Sequence, residues 1–218
     1  MSYGFLDIAI TPSVLEAQQK MGADQLWTDF EGDRPSDRFT ENEAAFIADR
    51  DSFYMASVSD TGWPYVQHRG GPAGFLKVLD PQTLAFADYA GNRQYISTGN
   101  LTANDHACLF LVDYPRRARL KIYARVEIVG LTADPDLTTA VQTPGYRARL
   151  ERIYKLRLAA FDWNCAQHIT PRFTQAQITD AVRPLHDRLA HLEAENEALR
   201  AQLATPPAEP GQRATPAS

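Results

Sequence analysis

The hydrophobic and polar positions between residues 74 and 129 form strand-length runs separated by turn signals. Apolar, β-rich runs lie at 74–79, 83–89 and 107–114, and a longer run with interspersed basic residues lies at 117–129. The turn clusters between them are Asp80-Pro81, Ala90-Gly91-Asn92, Gly99-Asn100 and Tyr114-Pro115. A helix-length segment at 93–104 lies between two of the runs. This pattern predicts antiparallel strands, interrupted by one short helix, that form a small β-barrel.

Start signals predict further helices and strands around this region. Thr11 is an N-cap candidate with Pro12 at the first helical position, and Thr40 and Glu43 have the spacing of a capping box. The further predicted elements are helices at 11–21, after 40, from 134 and near 146–152, with strands at 52–58, 63–69 and 153–161. The expected class is therefore mainly β with flanking helices, an α+β fold.

The C-terminal part of the chain changes from the strand pattern to a heptad pattern. Apolar residues recur there at alternating steps of three and four, at Val182, Leu185, Leu189, Leu192, Leu199 and Leu203, with Asn196 at one of the seam positions. This spacing predicts a parallel, two-stranded coiled coil, and an amphipathic helix lying on its own domain is the alternative. The predicted domains are a barrel with N-terminal helices at 1–175, a coiled-coil helix at 176–204 and a disordered tail at 205–218.

Composition narrows the class of protein. The 218 residues are 44% hydrophobic, which is enough to bury a core, and carry a formal net charge of −5. A mildly acidic chain predicts neither nucleic acid nor an anionic membrane as its partner. Cys108 and Cys165 have the spacing of neither a disulfide framework nor a metal site. The sequence shows no apolar run of the ~20 residues that cross a bilayer and no signal peptide, so we expect a cytoplasmic location.

Polar residues that could bind an anion fall at strand ends and at the start of the predicted helix. They are His68, Arg69, Lys77, Arg93, Gln94 and Lys121. The free N–H groups at a helix N-terminus form an anion site, so an Asn-Arg-Gln triplet beside basic strand residues is a candidate phosphate cradle. The alternative is that these are solvated charges at the edges of the sheet.

Three stretches resemble the pyridoxamine 5′-phosphate oxidase-related family of flavin-binding split barrels. They are WPYVQHRGGPAGFLKVLD at 63–80, GNRQYISTGNL at 91–101 and FDWNCAQHITPRFT at 161–174. The similar branch of the family has proline where this chain has Ala166, which loosens the predicted conformation of that segment. The resemblance implies an antiparallel split β-barrel that binds FMN at a homodimer interface.

The resemblance also implies roles for particular residues. Arg69 and Lys77 match basic residues that line the phosphate and ribityl chain, Arg93 and Gln94 match the pair that holds the phosphate, and Trp163 matches an aromatic residue that reaches the flavin from the second subunit. The full set of candidate cofactor-binding residues is Gln67, His68, Arg69, Lys77, Asp88, Asn92, Arg93, Gln94, Trp163, Cys165, Gln167 and His168.

The activity expected from this resemblance is oxidoreduction of a small molecule by an FMN-dependent enzyme. Gln67, His68 and His168 are candidates for contacting the flavin ring or the substrate, and no residue is identified as the catalytic acid or base. Cys165 and His168 could also suggest a nucleophile or a metal ligand, but no activating base or further ligands are evident. The alternatives are a non-catalytic flavin carrier or sensor, or a split barrel that holds haem or a deazaflavin.

Overall fold

The computed structural model describes residues 4–28, 37–163 and 166–204. Its helices are α1 (Phe5–Ala9), α2 (Pro12–Lys20), α3 (Gln25–Thr28), α4 (Glu41–Ala48), α5 (Ile96–Ala103), α6 (Pro135–Val141) and α7 (Gln175–Ala204). Its strands are β1 (Ser52–Val58), β2 (Pro64–Gly70), β3 (Lys77–Asp80), β4 (Thr83–Tyr89), β5 (His106–Asp113), β6 (Ala118–Val129) and β7 (Leu150–Trp163).

The strands form one antiparallel sheet of seven, in the order β2-β1-β5-β6-β7-β4-β3. The two longest strands, β6 and β7, pair at the centre of the sheet, from Leu120 opposite Trp163 to Val129 opposite Ile153. The strands β2 and β3 are the edges, so the barrel is split rather than closed. The predicted α+β split-barrel fold is confirmed.

The side chains of alternate strand positions fill the barrel. Phe53, Met55, Leu109 and Ile122 are almost completely buried, and Ile47 of α4 packs with them. On the other face of β4 and β7, a smaller cluster joins Ala85, Ala87 and Ile153 to Leu137 and Val141 of α6. Because neighbouring residues of β4 point to opposite faces, the strand is buried on both sides.

The predicted helix starts are confirmed where a local side chain makes the cap. The hydroxyl of Thr11 accepts a hydrogen bond from the N–H of Val14 at 3.4 Å, and Thr40 and Glu43 form the predicted capping box. The Asp134 carboxylate likewise accepts from the N–H of Leu137 at 2.9 Å, at the start of α6. Caps of this kind involve residues three apart, so the sequence predicts them directly.

Two helix predictions are wrong, one in its start and one altogether. The segment at 93–104 becomes helical only at Ile96, because Arg93 (φ 62°) and Tyr95 (φ 52°) have left-handed backbone conformations that interrupt a right-handed helix. The predicted helix near 146–152 does not form. Leu150 and Arg152 belong to β7 instead, where they pair with Tyr89 and Asp88 of β4.

The chain divides into two compact units, Met1–Pro171 and Arg172–Ser218. The second contains α7, a continuous helix of 30 residues that buries none of its side chains within the described chain. The predicted disordered tail at 205–218 lies outside the described residues. No described helix is both long enough and apolar enough to cross a membrane.

Candidate functional site

An open cleft of about 210 Å³ lies between β2, the end of β4, the start of β7 and the turn before α5. The described residues that line it include Tyr65, Gln67, Arg69, Asp88, Tyr89, Asn92, Arg93, Gln94, Tyr95, Ser97, Thr98 and Glu151. A second cleft shares Gln67, Arg69, Asp88 and Tyr89 with it and extends past His68 to Phe75 and Phe86. The two clefts together form a polar groove with an aromatic end.

The turn before α5 is held by its own side chains. The Asn92 side-chain oxygen accepts a hydrogen bond from the N–H of Gln94 at 3.1 Å, which is an Asx-turn. Arg93 follows in the left-handed conformation, and its side chain is exposed on the cleft. The prediction that Arg93 and Gln94 open the helix is therefore corrected, since they lie in the turn that precedes it.

The first turn of α5 presents N–H groups toward these polar residues. The first N–H with an acceptor four residues back is that of Gly99, which donates to the Tyr95 carbonyl at 2.9 Å. The N–H groups of Ile96, Ser97 and Thr98 precede that bond, so the helix itself offers them no acceptor. Among the described residues, the N-cap residue Tyr95 makes no side-chain cap to compensate. This helix start can accept an anion.

Two arginines hold Asp88 at the inner wall of the cleft. A terminal nitrogen of Arg69 donates to the Asp88 carboxylate at 2.6 Å, and Arg152 Nε lies 3.5 Å from the second carboxylate oxygen. The side chains of Arg69 and Asp88 are only 12% and 8% exposed. The Arg69 guanidinium also lies over the ring of Tyr154, and its Nε is buried without a hydrogen-bond partner among the described residues.

Arg152 connects this ion pair to α5 and to Glu151. One terminal nitrogen of Arg152 donates to the Thr98 hydroxyl at 3.0 Å, the other donates to Glu151 at 2.9 Å, and its guanidinium lies over the Tyr95 ring. The Tyr95 hydroxyl donates to Glu151 at 3.3 Å. Arg152 therefore holds the start of α5 against the end of the sheet.

Burial and neighbouring charges shift the pKa values of these groups in opposite directions. Burial raises the pKa of Asp88 above its ordinary value, while Arg69 and Arg152 beside it oppose the rise. Burial likewise raises the pKa of the Tyr154 phenol, whose hydroxyl is hydrogen-bonded to Thr98 at 2.8 Å. The wall of the cleft is thus a low-dielectric environment in which an added charge interacts strongly.

The structure brings together seven of the twelve residues predicted to bind a cofactor. Gln67, His68, Arg69, Asp88, Asn92, Arg93 and Gln94 all line the two clefts. Lys77 lines neither cleft in the described part of the chain. It pairs with Ala85 of β4, which faces α6, whereas Phe86 and Asp88 alternate with Ala85 and face the other side of the sheet.

Trp163 lies at the other end of β7 from the cleft. The eleven residue steps from Arg152 to Trp163 follow a strand path of roughly 36 Å. The indole N–H of Trp163 donates to Glu43 of α4 at 2.7 Å, and its ring packs edge-on against Phe46. Burial alone would raise the pKa of Glu43, but the hydrogen bonds from Thr40 and Trp163 outweigh it, so this pKa lies below its ordinary value.

The segment after β7 lies beyond the same end. Gln167 and His168 are exposed, and His168 has a left-handed backbone conformation (φ 61°). Neither is among the described residues that line the two clefts. Cys165 lies outside the described residues. The cofactor-binding roles of Trp163, Cys165, Gln167 and His168 stay predictions.

Sequence reasoning missed Glu151, Ser97 and Thr98, which line the cleft, and Arg152, which contacts Asp88, Thr98 and Glu151 at its wall. The Ser97 hydroxyl, which is buried, donates to the side-chain oxygen of Gln67 at 2.8 Å. A Ser-Thr pair at a helix start was visible in the sequence as a signal. Glu151 and Arg152 carried no such signal, because a helix was predicted there and only the pairing with β4 brings them to the cleft.

Three solved structures illustrate what the chain resembles. A proposed pyridoxamine 5′-phosphate oxidase from Lactobacillus delbrueckii has 20% identity and a TM-score of 0.45, over 59% of this chain and 96% of that one. HupZ from Group A Streptococcus has 14% identity and a TM-score of 0.47, over 62% and 99%. An FMN-binding protein from Syntrophomonas wolfei has 14% identity and a TM-score of 0.39, over 70% and 95%.

A search of curated proteins finds no match to this chain. The sequence profile of the pyridoxamine 5′-phosphate oxidase family matches residues 39–156. That span is more than half of the 218 residues and runs from Phe39, just before α4, through the cleft residues of β2, β4 and α5 to the middle of β7. The chain therefore belongs to the pyridoxamine 5′-phosphate oxidase family.

Proposed function

We propose that this protein is a homodimeric flavoprotein that binds FMN and catalyses oxidoreduction of a small molecule. The observation that carries the proposal is the composition of the cleft at the start of α5. There the exposed Arg93 and Gln94 lie next to helix N–H groups and to the buried pair of Arg69 and Asp88. The membership of the chain in the pyridoxamine 5′-phosphate oxidase family supports a flavin as the ligand.

The donor set of the cleft fits a phosphate group. A phosphate needs several hydrogen-bond donors at once, and guanidinium groups, hydroxyls and the N–H groups of a helix start are its usual partners. The four guanidinium groups of Arg69, Arg93, Arg149 and Arg152 lie around the two carboxylates of Asp88 and Glu151, which leaves an excess of two positive charges. Arg69 Nε is a buried donor without a partner among the described residues.

Each residue then has a defined task in binding. Arg93 and Gln94 hold the phosphate, and Asp88 keeps the Arg69 guanidinium in place at the wall of the cleft. Arg152 positions the helix start through Thr98 and the Tyr95 ring. Gln67, fixed by Ser97, faces the cleft from β2, where it can contact the flavin ring or the substrate, whereas the His68 ring packs against Tyr54 on the other face of β2. When bound, FMN supplies hydride transfer at its N5 atom.

A second copy of the chain is part of the proposal. Trp163 and the cleft lie at opposite ends of β7, so one barrel does not bring them together, whereas two barrels related by a two-fold axis can. The outer face of β1 and β2 exposes Tyr54, Val58 and Val66, with Val66 60% exposed on an edge strand. Such an apolar face suits a contact between barrels.

Titration of the apo-protein with FMN and with riboflavin tests the cradle. Arg93→Ala should weaken FMN binding by about tenfold or more, because a charged hydrogen bond to the phosphate is lost, and should leave riboflavin binding unchanged. Arg125→Ala, which removes an exposed arginine outside the cleft, is the matched control and should change neither affinity. Equal losses for FMN and riboflavin in Arg93→Ala would contradict a phosphate contact.

Turnover separates the enzyme from a flavin carrier. The FMN-loaded protein, reduced with a nicotinamide donor, should return its electrons to oxygen or to another acceptor over many cycles. A protein that binds FMN tightly and is reduced only once per flavin would be a carrier. Protein that purifies with a Soret absorption band instead of flavin absorption would show that the barrel holds haem.

A further inference from the structure

The helix α7 carries a stripe of exposed leucines along its length. Its 30 residues extend about 45 Å. Leu185, Leu189, Leu192, Leu199 and Leu203 recur every three or four residues, and each is between 42% and 87% exposed. The helix begins with a capping box, in which Thr174 and Gln177 exchange hydrogen bonds at 2.9 and 3.2 Å. A helix of this length with an exposed apolar stripe needs a partner to bury it.

We propose that this stripe is the interface with α7 of a second copy of the chain, in a parallel, in-register, two-stranded coiled coil. In heptad notation Leu189, Asn196 and Leu203 occupy a positions, and Leu185, Leu192 and Leu199 occupy d positions. This inference is independent of the flavin site, because it rests on the residues of α7 alone.

The charges that flank the stripe are complementary in the parallel arrangement. A g residue of one helix then faces the e residue five positions later in its partner. Arg188 would face Glu193, and Glu195 would face Arg200, so each pair has opposite charges. An ion pair joins Asp180 and Arg183 within α7. Arg188, Glu193, Glu195 and Arg200 form no ion pair with the described residues. They are available to a second helix.

Antiparallel arrangements fit the same residues less well. In an antiparallel coil each a residue faces a d residue, so Asn196 would face a leucine and its amide would be buried without a partner. If Leu189 of one helix lies opposite Leu199 of an antiparallel partner, Glu193 and Glu195 lie next to the same residues of the partner helix. Like charges would then be adjacent. Only the parallel register pairs Asn196 with itself, where the two side-chain amides can hydrogen-bond to each other.

Pro184 sets where the stripe begins. A proline inside a helix cannot donate to the carbonyl four residues earlier, and this weakens the turn at Asp180. Pro184 occupies a c position on the outer face, so it removes no seam residue. We therefore place the coil from Leu185 onward, with the residues before Pro184 as a lead-in helix.

Disulfide cross-linking of the full chain tests both the partner and the orientation. Leu185→Cys and Leu199→Cys are made separately, and each is oxidised under mild conditions. In a parallel, in-register coil both d positions lie within disulfide distance of their own copies. Ala194→Cys, at an outer f position, is the matched control, and the natural chain gives the background from Cys108 and Cys165.

The expected result is that most of each seam variant becomes a covalent dimer, while Ala194→Cys stays at the background level. Sedimentation should show a two-chain particle. The two seam sites are 14 residues apart, about 21 Å along the helix. An antiparallel coil has one crossing centre, so it would cross-link at no more than one of them and overturn the proposal. Cross-linking at neither site would mean that α7 pairs in an antiparallel register, or packs on its own chain or on another protein, and a trimer would also refute the proposal.

Discussion

Replacing Asp88 by asparagine should destabilise the protein and make its stability depend on phosphate. Asp88→Asn keeps the shape of the side chain but removes the negative charge between Arg69 and Arg152. The Asp88 and Arg69 side chains are 8% and 12% exposed, so the arginine cannot turn fully to water. Removing one partner of such a pair leaves an uncompensated buried charge.

The chain offers a matched control for the loss of stability. Asp113 pairs with Arg50 at 2.7 Å, with side chains that are 6% and 11% exposed, and lies outside the two clefts. We expect Asp113→Asn to lower the free energy of unfolding by about 3 kcal/mol. Burial raises the pKa of Asp88, so its charged form stabilises the fold less, and we expect Asp88→Asn to lower this free energy by only about 1 kcal/mol. For a chain of this size these losses lower Tm by about 6–12 °C and about 2–4 °C.

Phosphate should distinguish the two variants. Asp88→Asn raises the excess positive charge of the cleft from two to three, so an anion bound there gains about 1 kcal/mol. Thermal unfolding with and without inorganic phosphate or FMN measures this gain, since a ligand of the native state raises Tm. The increase in Tm should be larger for Asp88→Asn than for the natural chain or for Asp113→Asn.

Two results would refute this reasoning. If Asp88→Asn lowers the free energy of unfolding by less than about 0.5 kcal/mol, the ion pair stabilises the fold no more than a solvated surface pair does. An equal effect of phosphate on the two variants would mean that the anion does not bind near Asp88. Potassium chloride at the same ionic strength controls for general screening.

Two further predictions concern Trp163. Trp163→Phe removes the indole donor of Glu43, so the pKa of Glu43 should rise and stability at neutral pH should fall by about 1 kcal/mol. Because the pKa of Glu43 is lower in the folded state than in the unfolded state, its carboxylate stabilises the fold at pH values above the unfolded-state pKa. The difference in stability between the natural chain and Trp163→Phe should therefore shrink as the pH falls below about 4.5, and pH-dependent denaturation checks this. For the composite site, equal mixtures of Trp163→Ala and Arg93→Ala chains, refolded together, should regain about one quarter of the FMN sites. No recovery would mean that both residues act in the same barrel.

Local signals in the sequence predict most of the strands and the helix caps. The strands β1 and β4 begin and end at the predicted residues, because period-two alternation and the flanking turn residues are local signals. Thr11, Thr40 and Asp134 cap helices through bonds to residues within the next three positions. Six of the seven predicted cleft residues lie in stretches that are typical of the family, and Asp88 lies outside them.

The pairing of the charged side chains depends on the tertiary structure. Arg69 reaches Asp88 across 19 residues of sequence, and Arg152 reaches Thr98 across 54. The pairing of Asp88 with Arg152 follows from the register of β4 against β7, which long-range packing sets. The left-handed backbone of Arg93 and Tyr95 is equally hidden in the sequence, because neither is the glycine that such a conformation usually selects. The physical reason is that local periodicity encodes elements, whereas the partner of a buried charge depends on how distant elements are registered.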